Sequence, residues 1–188
     1  TGAGVVMLQA TQAGNGQFQA ASATQTIVVN PASQTITFAP LADATFSTTP
    51  MVLSASSSSG LPVSFRVVSG PAIVNGSQLS LTGVGAVTVS AEQSGNANVA
   101  AATPVVRTFT VGRRTQTITF ERIPSQAFSA TPIPLVASSS AGLTVSFYVL
   151  SGPATVNGNS LMLTGAGTVV VYAVQFGDSV IESASALQ

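Results

Sequence analysis

The sequence predicts an all-β protein, a tandem run of two-sheet sandwiches, and three observations carry that expectation. Long phrases recur at a fixed spacing, apolar residues alternate with polar ones at a period of two, and no amphipathic helical stripe of ten or more residues occurs. SQTITF at residues 33–38 returns as TQTITF at 115–120, and LPVSFRVVSGPAIVNGSQLSLTG at 61–83 returns as LTVSFYVLSGPATVNGNSLMLTG at 143–165. Both pairs lie 82 positions apart. The opening phrase TGAGVVMLQATQAGNG (1–16) reappears as TGVGAVTVSAEQSGNA (82–97) and as TGAGTVVVYAVQFGDS (164–179), and TQTIVV at 24–29 corresponds to VRTFTV at 106–111. The expected organisation is therefore the trailing half of one repeat (1–31), a full repeat (32–112), and a second repeat (115–188) lacking its final strand. Asn30-Pro31-Ala32 and Gly112-Arg113-Arg114 are linkers too short for independent tumbling.

The full repeat reads as seven strands in order. The first, 34–38, carries Thr35-Ile36-Thr37, whose β-branched side chains suit a pleated surface. Runs at 44–47 and 51–56 follow, with Pro50 at a margin, where a missing N–H does least harm. In 62–69, Val63, Phe65 and Val67 share one face, leaving Ser64, Arg66 and Val68 on the other. Segments 72–74 and 78–82 flank Asn75-Gly76, a pair suited to a tight type I′ hairpin. In 85–93, Val87, Val89 and Ala91 alternate with Thr88 and Ser90, and 105–111 closes the repeat. Seven short strands in some 80 residues describe a sandwich.

Composition narrows the function classes. Five Arg balance five Asp and Glu, so no basic patch exists to follow a phosphate backbone, and nucleic acid is not an expected partner. Only 5% of residues are charged, against about 25% in ordinary globular proteins, so little repulsion opposes self-association. Ser, Thr, Gln and Gly interrupt every apolar run before it reaches the length of a membrane span. With no Cys, His, Lys or Trp, disulfides, thiolate metal sites, imidazole catalysis and Schiff bases are excluded by inventory. The acids are Asp43, Glu92, Glu121, Asp178 and Glu182. Asp43 is expected to cap a turn and Glu121 to pair with a nearby Arg. Asp178 and Glu182 form the one close acidic pair, too little for a calcium site of clustered carboxylates. No enzyme activity, cofactor or metal is expected. The chain starts inside a repeat, so it reads as a mature region whose export signal lies elsewhere.

The pattern QTITF, SGLPVSF, SGPA-x-V-x-G and G-x-G-x-V-x-V-x-A-x-Q-x-G-N, followed by FTV, resembles the bacterial immunoglobulin-like repeats of large secreted and cell-surface proteins and adhesins. The resemblance covers essentially the whole chain. It implies immunoglobulin-like sandwiches, an extracellular or cell-surface location, and service as spacers, stalks or adhesive units. The second repeat departs from the pattern at Ser125, where the first has Asp43, and at Asp178, where the first has Asn96.

Two surfaces follow as candidates. Outward Arg66, Val68, Thr88 and Ser90 become Tyr148, Leu150, Val170 and Tyr172 in the second repeat, which would gather an apolar patch on a face expected to be wet. The incomplete second repeat should leave an open sheet edge, and the orphan strand Thr24, Gln25, Thr26, Ile27, Val28 and Val29 has the sequence to fill such a slot in a neighbouring copy. The expected partners are other copies of the chain, in a filament, sheath or stalk. The alternative is an adhesin segment that binds a surface glycan or protein.

Overall fold

The computed structural model describes residues 2–188 and is all-β, built from immunoglobulin-like sandwiches on an 82-residue repeat. The chain clusters into two compact units: Thr1–Ala42, Thr49–Ser80 and Ala86–Phe109 form the first; Asp43–Thr48, Leu81–Gly85 and Thr110–Gln188 form the second.

The chain opens with β1 (Gly4–Gln12) and β2 (Ala21–Val29), an antiparallel hairpin in unbroken register from Gly4↔Val29 to Gln12↔Ala21. Next come β3 (Ile36–Phe38), β4 (Ala44–Thr45), β5 (Met51–Val52), β6 (Ala55–Ser57), β7 (Ser64–Ser69), β8 (Ala72–Asn75), β9 (Gln78–Leu81), β10 (Gly85–Glu92) and β11 (Val105–Gly112). One sheet runs β4-β11-β10-β7; β5-β9-β8 and the pair β3-β6 form the others. The second repeat follows with β12 (Ile118–Phe120), β13 (Ile133–Pro134), β14 (Ala137–Ser139), β15 (Ser146–Ser151), β16 (Ala154–Asn157), β17 (Ser160–Leu163), β18 (Val170–Gln175) and β19 (Ala184–Leu187). Here β15-β18-β19 stands beside β13-β17-β16 and β12-β14.

Alternation decides the core. Phe120, Leu135, Leu161, Val171 and Ala173 are buried together, with Phe147, Val149 and Val156 packed against them. Phe120 and Phe147 meet at 5.5 Å between ring centroids, as Phe38 and Phe65 do in the first repeat, a tilted pairing that aromatic rings favour.

Three sequence expectations are corrected. The run 51–56 is two strands: β5 pairs with β9 through Met51↔Leu79, while β6 pairs with β3 through Phe38↔Ala55, so the chain changes sheets between them. The hairpin turn sits one residue later than Asn-Gly. Asn157 pairs with Ser160, Gly158 has φ +60°, and no non-glycine residue described has positive φ, which gives the φ signs of a type II′ turn. Asp43 caps no turn; its Oδ1 accepts from the distant Thr110 N–H at 2.6 Å, beside the parallel pairing of β4 with β11. The last strand, β19, pairs with β18 from Gln175↔Ala184 to Tyr172↔Leu187 and takes the place of residues 102–105 of the first repeat.

Candidate interaction surfaces

The antiparallel pair β7–β10 brings Arg66 opposite Ser90. From the same outer face, Arg66 Nη2 meets Glu92 Oε1 at 3.0 Å, and Thr88 and Thr108 hydroxyls lie 2.9 Å apart. The arrangement is polar but only partly wet: Arg66 and Thr108 are exposed, Thr88 and Glu92 half-buried, and Ser90, expected from the alternation to face water, is buried. A hydrogen bond from Ser90, then the Arg66 guanidinium, hold the Glu92 carboxyl below its ordinary value of 4.5. A depressed carboxylate stabilises the fold at pH above 4.5, and that contribution is lost as pH falls through the lower, folded-state value. The intact chain should therefore lose more stability than Glu92→Gln on acidification from pH 5 to pH 3. The effect is small and salt-sensitive because the pair is exposed. Urea midpoints of both proteins across that range check it.

The second repeat keeps the strand geometry and replaces the chemistry. Tyr148 stands opposite Tyr172, and Tyr172 opposite Leu187, a row across β15, β18 and β19. Tyr148 is 49% exposed, Leu150 65% and Leu187 55%, while Val170 and Tyr172 are half-buried. Val170 pairs with Ser151 across a register shift that leaves Leu150 in the irregular stretch. The structure thus brings Tyr148 and Tyr172 side by side and adds Leu187, which the sequence reading had assigned to a repeat cut short. The signal was available, since Leu187 takes the place of Val105 in the 82-residue repeat. Val174, at the place of Glu92, is buried, so no charge remains on this face at the positions where the first repeat carries Arg66 and Glu92.

The strand 24–29 lies within β2, paired along its whole length with β1, and its side chains are exposed. In the second repeat a groove of mixed character, lined by Ile123, Gln126, Ile133, Leu163, Thr168 and Val169, opens beside β18. Ile133, Leu163 and Val169 are the counterparts of Met51, Leu81 and Val87 in the first repeat.

Both aspartates serve the backbone. Asp178 Oδ1 accepts the N–H groups of Val180 and Ile181, each at 2.8 Å, as Asn96 Oδ1 accepts those of Asn98 and Val99. Glu121 receives no Arg among the described residues; its backbone N–H donates to the Val136 carbonyl. No three metal-binding side chains cluster among the described residues, and no helix there is long and apolar enough to cross a membrane.

The class defined by these features is a tandem chain of immunoglobulin-like β-sandwich repeats. Neither a family model nor a curated protein matches the chain. Among solved structures it is similar to the crystal structure of Drosophila N-cadherin EC1-4, at 14% identity and TM-score 0.32, covering 97% of this chain and 57% of that one. It is also similar to the human Desmocollin-1 ectodomain, at 7% identity and TM-score 0.34, covering 93% and 46%. The chain spans about half the length of these two, and the likeness concerns the β fold alone.

Proposed function

We propose that this chain is a structural repeat module of an extracellular bacterial filament, sheath or stalk, performing no catalysis and assembling with other copies of itself. The observation that carries the reading is the row Tyr148, Tyr172 and Leu187, where the first repeat has Arg66, Ser90 and Val105. Leu150 and Val170 widen it. A contiguous apolar patch on an exposed sheet is a contact surface, and central tyrosines supply much of the energy of such contacts. Strand complementation is the second contact: the outer edge of β2, carrying Thr24–Val29, faces open sheet edges or the groove at Ile123 and Val169 in a neighbour.

The double variant Tyr148→Ser/Tyr172→Ser should raise the concentration for half-assembly by at least about tenfold, some 1.4 kcal/mol. Circular dichroism should stay unchanged, since neither tyrosine belongs to the core. Sedimentation and negative-stain electron microscopy read the outcome, and undiminished assembly of the double variant removes the sheet-face contact. The two exposed tyrosines also suit a second reading, an adhesin segment that stacks a surface glycan or protein. Saturable binding to a glycan array by a strictly monomeric chain would put that reading first.

A further inference from the structure

The β1–β2 hairpin presents a face that its counterparts never leave in water. Val6, Leu8, Ile27 and Val29 are 43%, 53%, 45% and 41% exposed. In the repeat, Val6 and Leu8 become Val87 and Val89, and Ile27 and Val29 become Phe109 and Val111. All four of those are at most 2% exposed. The second repeat shows what covers such a face: Val171 and Ala173, the counterparts of Leu8 and Ala10, pack against Phe120, Leu135 and Leu161.

A polar feature at the end of the face identifies the cover independently. In the first repeat Gln34 is buried; its Nε2 donates to Gln93 Oε1 at 2.5 Å and to the Ala100 carbonyl at 2.8 Å, while Ser59 Oγ donates to Gln34 Oε1 at 2.6 Å. The second repeat rebuilds this clamp. Gln116 Nε2 donates to Gln175 Oε1 and to the Glu182 carbonyl, and Ser139 Oγ donates to Gln116 Oε1. The counterpart of Gln93 and Gln175 is Gln12, at the end of β1. Its loop is folded in the same way, with Asn15 Oδ1 accepting the N–H groups of Gln17 and Phe18 at 2.9 Å. The loop that follows the accepting position is therefore formed, and Gln12 stands exposed at its start, beside a shallow depression lined by Ala10, Gln12, Ala21 and Ala23.

We infer that this hairpin face is the docking surface for the leading half of a sandwich repeat of the same kind, joined in tandem and locked by a glutamine that donates to Gln12. The inference rests on the tandem-module reading above. Its occupant carries Gln-Thr-Ile-Thr-Phe: the Gln enters the clamp, and the Phe four residues later lies over Leu8 and Ala10 as Phe120 lies over Val171 and Ala173. A second hairpin laid face to face would offer apolar surface but no Gln set four residues from a Phe.

The test places a copy of residues 33–81 directly before Thr1, since Leu81 precedes Thr82, the counterpart of Thr1. Hydrogen exchange of β1 and β2 is measured in the extended and the plain chain, both in the Tyr148→Ser/Tyr172→Ser background at a concentration where the protein is monomeric. Exchange in the hairpin should slow by about 100-fold or more on extension, approaching that of β10 and β11. Gln12→Ala in the extended chain, or Gln34→Ala within the added copy, should each return about tenfold of that protection. The inference is overturned by an added segment that stays unprotected with hairpin exchange unchanged, or by clamp variants that exchange like their parent. A plain chain whose hairpin becomes equally protected when the concentration is raised until it dimerises would also overturn it, because a second copy would then be the cover. The readout is intramolecular, so failure of filament assembly leaves it standing, and its failure leaves assembly through the tyrosine face untouched.

Discussion

Replacing Leu161 with alanine is expected to lower the unfolding free energy of the second repeat by about 3–4 kcal/mol. Leu161 sits in β17 between Ile133 of β13 and Val156 of β16, is 2% exposed, and packs with Phe120, Leu135, Val171 and Ala173. Alanine removes the apolar atoms that fill the space between the two sheets. The neighbours are strands fixed by ladder hydrogen bonds, so the site collapses little and a cavity remains. Met162, next in sequence, points the other way and is 43% exposed, so Met162→Ala should cost less than about 1 kcal/mol. The two tyrosines of the chain, Tyr148 and Tyr172, both lie in the second repeat, and there is no Trp. Intrinsic fluorescence during urea unfolding therefore reports on this repeat. Similar losses in the two variants would show that burial is not what holds it.

Much of this architecture was legible because it rests on local alternation and on recurrence. The inward set Val63, Phe65 and Val67 and the pairing of 62–69 with 85–93 follow from period two once the sandwich is granted, and β7–β10 and β15–β18 pair accordingly. The Tyr148–Tyr172 juxtaposition was legible for the same reason. What escaped depends on distant partners. Met51 and Ala55 belong to one apolar run, yet their pairing with Leu79 and Phe38 assigns them to different sheets, and nothing between them in sequence marks the change. Asp43 reaches Thr110 across the repeat, a bond that no local turn preference anticipates. The glutamine clamp did leave a trace. Gln recurs at 12, 93 and 175 and again at 34 and 116, but in a polar, Gln-bearing sequence a buried amide looks like any other until its partners are seen.

Gly177→Ala should be the other costly change, at about 3–4 kcal/mol, well beyond the effect of the same substitution at Gly158. Both glycines have positive φ, +74° at Gly177 and +60° at Gly158, so alanine at either bears the left-handed penalty of about 1–2 kcal/mol. The surroundings separate them. A Cβ at Gly158 meets nothing within 4 Å, whereas one at Gly177 runs into the Ile181 carbonyl oxygen and the Glu182 backbone. That carbonyl accepts from the Asp178 N–H, and the Glu182 carbonyl accepts from Gln116, so the loop cannot give way without opening both. Gly177 N–H also donates to Gln175 Oε1 at 2.5 Å, which fixes the acceptor of the clamp. Alanine here thus strains the backbone, pushes on a carbonyl already in use and disturbs a buried amide pair. Gly95 and Gly14 hold the same conformation at the same place in their loops, with φ +76° each. Tyrosine-detected unfolding of Gly177→Ala beside Gly158→Ala measures the difference. Equal losses would mean that the left-handed φ alone sets the cost, and that the loop is free to move away from its carbonyl.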